Sequence, residues 1–292
     1  MNRPKLIILV GPPGAGKTVY GHEYAYDNPG TEYFSSDSIR KKLYGDESTQ
    51  GNPNEVFSLM QKYTIEALNN GQSVVYDATN MTRKDRAGII AVCPKFTKIE
   101  CHIIWAPIET CIERDAKRKR TVGKEVIDRM LKRFQSPWYD EGIHEIKVVR
   151  PENFNFVQYC RDVYDAMKIP HDNPHHTLSI YDHCCEAQRY IEECGEDDTG
   201  LVYVSAMMHD VGKPYVKSFV DSKGNPCETA HYYQHQCVGA WLTYGVAGNP
   251  VDIAWLVSVH MDPFLNTKYY NKLPTYLKRQ VDLLHEADLN AH

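Results

Sequence analysis

Residues 6–18 read LIILVGPPGAGKT. A short apolar run of strand-forming residues enters Gly11-Pro12-Pro13-Gly14-Ala15-Gly16-Lys17-Thr18, which fits G-x-x-x-x-G-K-[ST], and a helix-like stretch follows. That order has a chemical meaning. Glycines let backbone N–H groups curl around phosphate oxygens at a helix N-terminus, Lys17 reaches the terminal phosphates, and the Thr18 hydroxyl is a ligand for Mg²⁺. Gly11, Gly14, Gly16, Lys17 and Thr18 are the expected contacts of ATP and its Mg²⁺. The N-K-x-D tetrad that reads guanine is missing, which argues against a GTPase.

Outward from this loop, EYFSSD (32–37), SVVYDATN (73–80), KIECHIIWAP (98–107) and IKVVR (146–150) read as further strands. Helical patterns at 54–71, 108–120 and 124–135 alternate with them, as in a parallel sheet with helices on both faces. The pattern changes after residue 150. Residues 153–170 read as a connector with one short helix. Beyond them, helices are expected at 174–194, 199–210, 230–246, 250–261 and 275–290, with a turn-rich loop, DSKGNP, at 221–226. The expected organisation is an α/β P-loop domain over 1–152 and an all-α domain over 171–292.

Composition narrows the class. The chain has 292 residues, 42% hydrophobic and 24% charged, with a formal net charge of −5, as a globular protein does. It lacks any run of 18 apolar residues that would span a membrane. The start, MNRPKLIILVG, passes into the glycine loop and not into a cleavage site. Nine scattered cysteines without a C-x-x-C pair point to reduced thiols and a cytoplasmic location. Within this acidic chain, residues 111–133 hold nine Lys/Arg against four Asp/Glu, a patch suited to phosphate-rich ligands or a solvated helix face.

Two carboxylates follow the glycine loop. Asp37, in SSDSIR (35–40), is a candidate general base toward an acceptor hydroxyl, leaving Arg40 for an acceptor phosphate; the other reading is a helix cap. Asp77, ending VVYD, is expected near Mg²⁺ or the acceptor, or else as a turn-forming residue. Arg114 and Arg118, four apart, share a helix face from which guanidinium groups can close over the triphosphate.

The series P-loop, SSDSIR, VVYDATN and RDAKRKRTVGKEVIDRM resembles the 5′-polynucleotide kinase family of phage and bacterial RNA-repair proteins over residues 5–150. The resemblance implies Lys17 and Thr18 for ATP and Mg²⁺, Asp37 as base, Arg40 on the acceptor side, and Arg114 and Arg118 on the donor. Asp115 departs from the family's expected Asn and puts a carboxylate beside the phosphates.

The second half contains YVSAMMHDVGKPY (203–215) and most of the 13 histidines. His183, His209-Asp210 and Asp288, each on a separate expected helix, supply four N/O ligands for a divalent ion. His235 and His260 complete a second ion or bind phosphate, and Lys213 neutralises phosphate oxygens. His260 also reads as a core histidine, His231 as an outer partner of the ligands or merely packed, and His171, His175, His176 and His292 as surface or capping residues. The set HHTLSIYDH, MMHDVGKP, HYYQHQCVGA, the lone His260 and HEADLNA resembles the HD phosphohydrolase superfamily over 170–292. That implies a transition metal such as Mn, Ni, Co, Fe or Zn and a phosphate-ester substrate.

Together the halves are similar to RNA end-healing fusions of a polynucleotide kinase and an HD phosphatase. Such a protein phosphorylates 5′-hydroxyl ends of RNA or DNA and removes 2′,3′-cyclic or 2′/3′ phosphates, for a ligase to act downstream. The competing readings are a nucleoside or small-metabolite kinase fused to an HD nucleotide phosphohydrolase, and an ATP-dependent nucleotide-sensing module.

Overall fold

In the computed structural model, which describes residues 3–173 and 177–291, β1 (Lys5–Val10) is closed to solvent from Leu6 to Val10. A central parallel strand has both faces covered, so it reads as a continuous apolar run. The chain continues through α1 (Lys17–Asp27), β2 (Thr31–Ser35), α2 (Ser36–Tyr44), α3 (Pro53–Asn69), β3 (Ser73–Asp77), α4 (Arg83–Val92), β4 (Lys98–Ile104), α5 (Ile108–Ala116), α6 (Lys124–Leu131) and β5 (Glu145–Val149). The five strands are parallel in the order β2-β3-β1-β4-β5. Leu9 pairs with Asp77, so the glycine loop and Asp77 leave the sheet at neighbouring carboxyl ends, where open α/β sheets bind ligands.

Two of the boundaries that differ from expectation have a visible local cause. The third strand stops at Asp77 because Asn80 turns to φ +48° and its side-chain N–H donates to the Leu9 carbonyl at 2.8 Å. The helix expected over 108–120 stops at Ala116, because the Asp115 carboxylate accepts from the backbone N–H groups of Val122 and Gly123, both at 2.9 Å. The chain is folded back into a loop there.

The remaining elements are α7 (Phe156–Met167), α8 (Ile180–Cys194), α9 (Leu201–Met208), α10 (Lys213–Val216), β6 (Ser218–Val220), β7 (Pro226–His231), α11 (His235–Val246), α12 (Pro250–Val259), α13 (Asp262–Leu265), α14 (Thr267–Tyr270) and α15 (Thr275–Asn290). Helix α11 is buried on every side and packs against α12; α8 packs on α9 and α15. The segment 153–170, read as a connector, forms α7 and buries Tyr159, Val163 and Met167 as it packs against α8, α10 and α11. Helix was expected from residue 230, but α11 begins at His235. Pro226–His231 pairs antiparallel with Ser218–Val220 around a turn in which the Asp221 carboxylate accepts from the N–H groups of Lys223 and Asn225, each at 2.8 Å.

The chain divides into two compact units: one runs to Met130 and includes Pro137–Glu152; the other takes Leu131–Ser136 and continues from Asn153.

Candidate active sites

The loop of the first unit depends on Gly14. Its φ is +79°, and a Cβ there would lie 2.1 Å from the Cys111 carbonyl oxygen, so only glycine lets the loop pass this close to α5. Lys17 donates to the carbonyls of Gly11 and Pro12 at 2.8 and 3.0 Å. Burial pushes its ammonium below the ordinary lysine range, against the pull of Asp77. Asp77 accepts from the Thr18 hydroxyl at 3.1 Å and the Tyr33 hydroxyl at 2.5 Å. The structure therefore joins Asp77 to the Mg²⁺-type hydroxyl of the loop. These oxygens suit Mg²⁺, a hard cation bound by few protein ligands.

Asp37 lies in the first turn of α2, not at the end of β2, and Ser35 caps that helix through a reciprocal bond with Ser38. The Asp37 carboxylate is thus free of capping duty. It accepts from Arg40 at 2.6 Å and from Arg120 at 3.1 Å. Arg120 was passed over in the sequence because nothing in the run KRKR marks one cation above the next. Arg114 lies beside the loop, its guanidinium 3.8 Å from where a Cβ on Gly16 would be. Arg118 falls beyond the end of α5, so the shared helix face does not extend to it. It is half-exposed and 3.9 Å from Asp115. Asp115 itself is buried and spends its carboxylate on the loop backbone.

In the second unit, five helices converge. His183 comes from α8, His209 and Asp210 from the end of α9, His235 from the start of α11, His260 from the end of α12, and Asp288 from α15. His183, His209, Asp210 and Asp288 form one group with metal-binding spacing; Asp210, His235 and His260 form another that shares Asp210. All but Asp288 are buried.

Helix ends also decide which nitrogen faces inward. The last carbonyls of a helix have no partner within it. His209 and His260 meet such carbonyls with Nδ1, at Ala206 and Val257, both 2.7 Å. His235 Nδ1 meets the Tyr232 carbonyl at 3.0 Å, and His183 Nδ1 that of Ala291 at 2.9 Å. With each Nδ1–H so used, the Nε2 lone pairs point at one another: 3.3 Å between His183 and His209, 3.2 Å between His235 and His260. Ring nitrogens facing each other at that distance repel unless a proton or a metal cation lies between them. The donor set therefore fits divalent metal, with the outer hydrogen bonds that orient imidazole ligands already made.

The charges agree. Burial pushes the His209 ring down, but Asp210, Cys184 and Asp288 outweigh it and hold it well above its ordinary range. Burial would raise Asp210, yet Lys213 and His209 hold it far below. Asp288 is likewise held low by His183 and His209 against burial. Burial, aided by His235 and His209, lowers His260 to about 3, so that ring is neutral as a ligand must be. Lys213 is buried, 2.5 Å from Asp210 Oδ2.

One expectation fails. His171, read as a surface or capping residue, is buried with its Nε2 3.8 Å from Asp210 Oδ2. It precedes α8 without helical periodicity, so no pattern tied it to the others. His231 stacks on Tyr233, and the readings for His175, His176 and His292 lie outside the described residues.

Residues 6–137 match the family model for the AAA domain, and residues 175–288 match the HD domain model. The chain is a P-loop kinase-like domain followed by an HD domain. A segment of 148 residues is 24% identical to the transcription factor bHLH140 of Arabidopsis thaliana, covering 48% of this chain and 15% of that protein. A chain of the Pnkp1/Rnl/Hen1 RNA repair complex is 23% identical with a TM-score of 0.41, over 44% of this chain and 43% of that one. A gluconokinase from Sinorhizobium meliloti 1021 is 17% identical with a TM-score of 0.38, over 53% of this chain and 86% of that one. The P-loop domain carries phosphotransfer groups and the HD domain hydrolytic ones; among the described residues no helix is long and apolar enough to cross a membrane.

Proposed function

We propose that this protein heals broken nucleic-acid ends. Its P-loop domain phosphorylates 5′-hydroxyl termini with ATP, and its HD domain removes 2′,3′-cyclic or 2′/3′ phosphates, leaving ends that a ligase joins. The observation that carries this reading is the presence, in one chain, of two chemically opposite phosphate sites. One is a phosphate-gripping loop with the carboxylate Asp37 held between two guanidinium groups. The other is a buried imidazole–carboxylate centre with the Lys213 ammonium against it. Adding and removing phosphate in the same molecule is futile on one atom and productive on the two ends of a strand.

In the first reaction Asp37 accepts the proton of the 5′-hydroxyl as its oxygen bonds to the γ-phosphorus and ADP departs. Lys17 and Arg114 neutralise charge on the transferred group, Arg118 closes over the donor, and Arg40 grips the acceptor phosphate. Thr18, supported by Asp77, would hold Mg²⁺. In the second reaction, divalent ions held by His183, His209, Asp210 and Asp288, and by Asp210, His235 and His260, would supply Lewis acidity and an activated water. Lys213 binds a non-bridging phosphate oxygen there.

The test is an oligonucleotide with 5′-hydroxyl and 2′,3′-cyclic phosphate ends, incubated with ATP and resolved by end. Lys17→Ala or Asp37→Ala is expected to lower 5′ phosphorylation by ~10²–10⁴-fold with hydrolysis intact, and Asp210→Ala to do the reverse. A folded single variant that loses both activities contradicts two independent sites. Phosphorylation of free nucleosides in preference to the oligonucleotide supports the small-metabolite reading instead.

A further inference from the structure

Among the described residues, a fifth histidine ring enters the buried centre of the HD domain. His171 donates from Nδ1 to the Leu178 carbonyl at 3.0 Å, the arrangement the four ligand-type rings use, so its Nε2 lone pair also faces inward. Opposite it, at 3.3 Å, is the Lys213 ammonium.

The backbone holds His171 there from several directions. Pro170 bridges to Ser179, and the Asp172 carbonyl accepts from the Ala230 N–H at 2.9 Å. Lys217 bonds to the Pro170 carbonyl at 2.6 Å and the Asp172 carboxylate at 2.7 Å. The Tyr232 hydroxyl donates to the His171 carbonyl. Asp172 adopts φ +50°, a left-handed conformation that a side chain adopts at a cost. A surface cap needs none of this.

Lys213 explains the investment. An ammonium has three N–H donors. One faces Asp210 Oδ2 at 2.5 Å and a second the His171 ring, with the Tyr232 ring 5.4 Å away. Asp210 is the carboxylate common to both metal-type groups. An ammonium with no other partner would settle on that carboxylate and compete with the cations for its oxygens. An acceptor on the far side opposes that collapse.

We propose that His171 is a positioning residue for phosphate-ester hydrolysis: by accepting from Lys213 it steadies the ammonium beside Asp210 and leaves the third N–H for a phosphate oxygen of the substrate. The inference rests on the hydrolytic reading of the HD domain given above.

The experiment compares His171→Phe, His171→Gln, Lys213→Ala and the double variant His171→Phe/Lys213→Ala. Each is assayed for kcat/KM on the 2′,3′-cyclic phosphate oligonucleotide, for bound metal, and for thermal melting. His171→Phe is expected to lose about 10–100-fold, the usual scale for an outer partner, with its metal content unchanged. His171→Gln, whose amide oxygen can accept at similar reach, recovers most of the loss. In the Lys213→Ala background, His171→Phe costs nothing more. If His171→Phe does not fold, His171→Asn, polar but too short to reach the ammonium, must show the same loss. Additive losses in the double variant, loss of metal with His171, or a Gln variant no better than Phe would overturn the proposal. A wild-type protein that leaves every phosphate ester intact removes the hydrolytic reading itself; one that hydrolyses them with all His171 variants unimpaired removes this inference alone.

Discussion

Gly212 shows how much of the HD centre depends on one missing side chain. It stands between Asp210 and Lys213, and a Cβ there would lie 2.1 Å from the His235 carbonyl oxygen and 2.6 Å from the Gly239 nitrogen. Both are backbone atoms of a buried helix, so neither can yield as a side chain would. Gly212→Ala is therefore expected to push the first turn of α11 away and lengthen the 3.4 Å approach of His235 Nε2 to Asp210 Oδ1. Hydrolysis and metal content should fall together, with roughly 1–3 kcal/mol of stability lost to overpacking, while 5′ phosphorylation persists. Metal analysis alongside a melt would detect this; an unchanged metal content would show that α11 can shift without moving its ligand. The residues of this centre were legible where a helix carried them, as for His183, His209-Asp210 and Asp288. They were not legible where a loop did. His171 is placed by ties to nearby Ser179 and to Ala230, Lys217 and Tyr232, which are distant in sequence, and Arg120 by its bond to Asp37, 83 residues away.

Among the elements, β4 carries an unusual polar load for a buried strand. Glu100 and His102 are both closed to solvent, and the ring meets the Tyr20 hydroxyl at 2.7 Å and Glu100 at 3.2 Å. Burial holds His102 at about 4, against 6.5 when exposed, although Glu100 pulls it up. The unfolded chain therefore binds the proton first as pH falls. The neutral ring contributes stability that is present in full above pH 6.5 and lost as the pH falls through 4, at most roughly 2–3 kcal/mol. Glu100, held at about 2 by Lys98 and Lys5 against burial, loses its contribution in a lower window, from 4.5 downward. His102→Gln keeps a polar partner without the titration, so the stability gap between wild type and variant should shrink between pH 7 and pH 4 in denaturant melts. A gap independent of pH would contradict this account of β4. The strands of this domain could be read because parallel pairing buries both faces and leaves near-continuous apolar runs. The β6–β7 hairpin could not, since its residues are half-exposed and the turn chemistry of Asp221 was the only local signal. Helix α7 could be read only as one short helix in a connector, because its apolar face acquires meaning against α8 and α11.

For the whole molecule, two phosphate chemistries are built from different materials. The P-loop domain presents a glycine loop and guanidinium side chains at the carboxyl end of a parallel sheet; the HD domain gathers imidazoles near helix ends, where backbone carbonyls hold each Nδ1 and turn Nε2 inward. The central claim is that those Nε2 lone pairs hold metal. The most direct measurement is elemental analysis of the purified protein and its Asp210→Ala variant, each confirmed as folded by its melt. The account predicts two divalent transition ions per chain, one for each ligand group, and near-complete loss of both in the variant because Asp210 is common to the two. A wild-type protein that takes up no transition metal when supplied with Mn, Ni, Co, Fe or Zn, or a variant that retains its full complement, would contradict it.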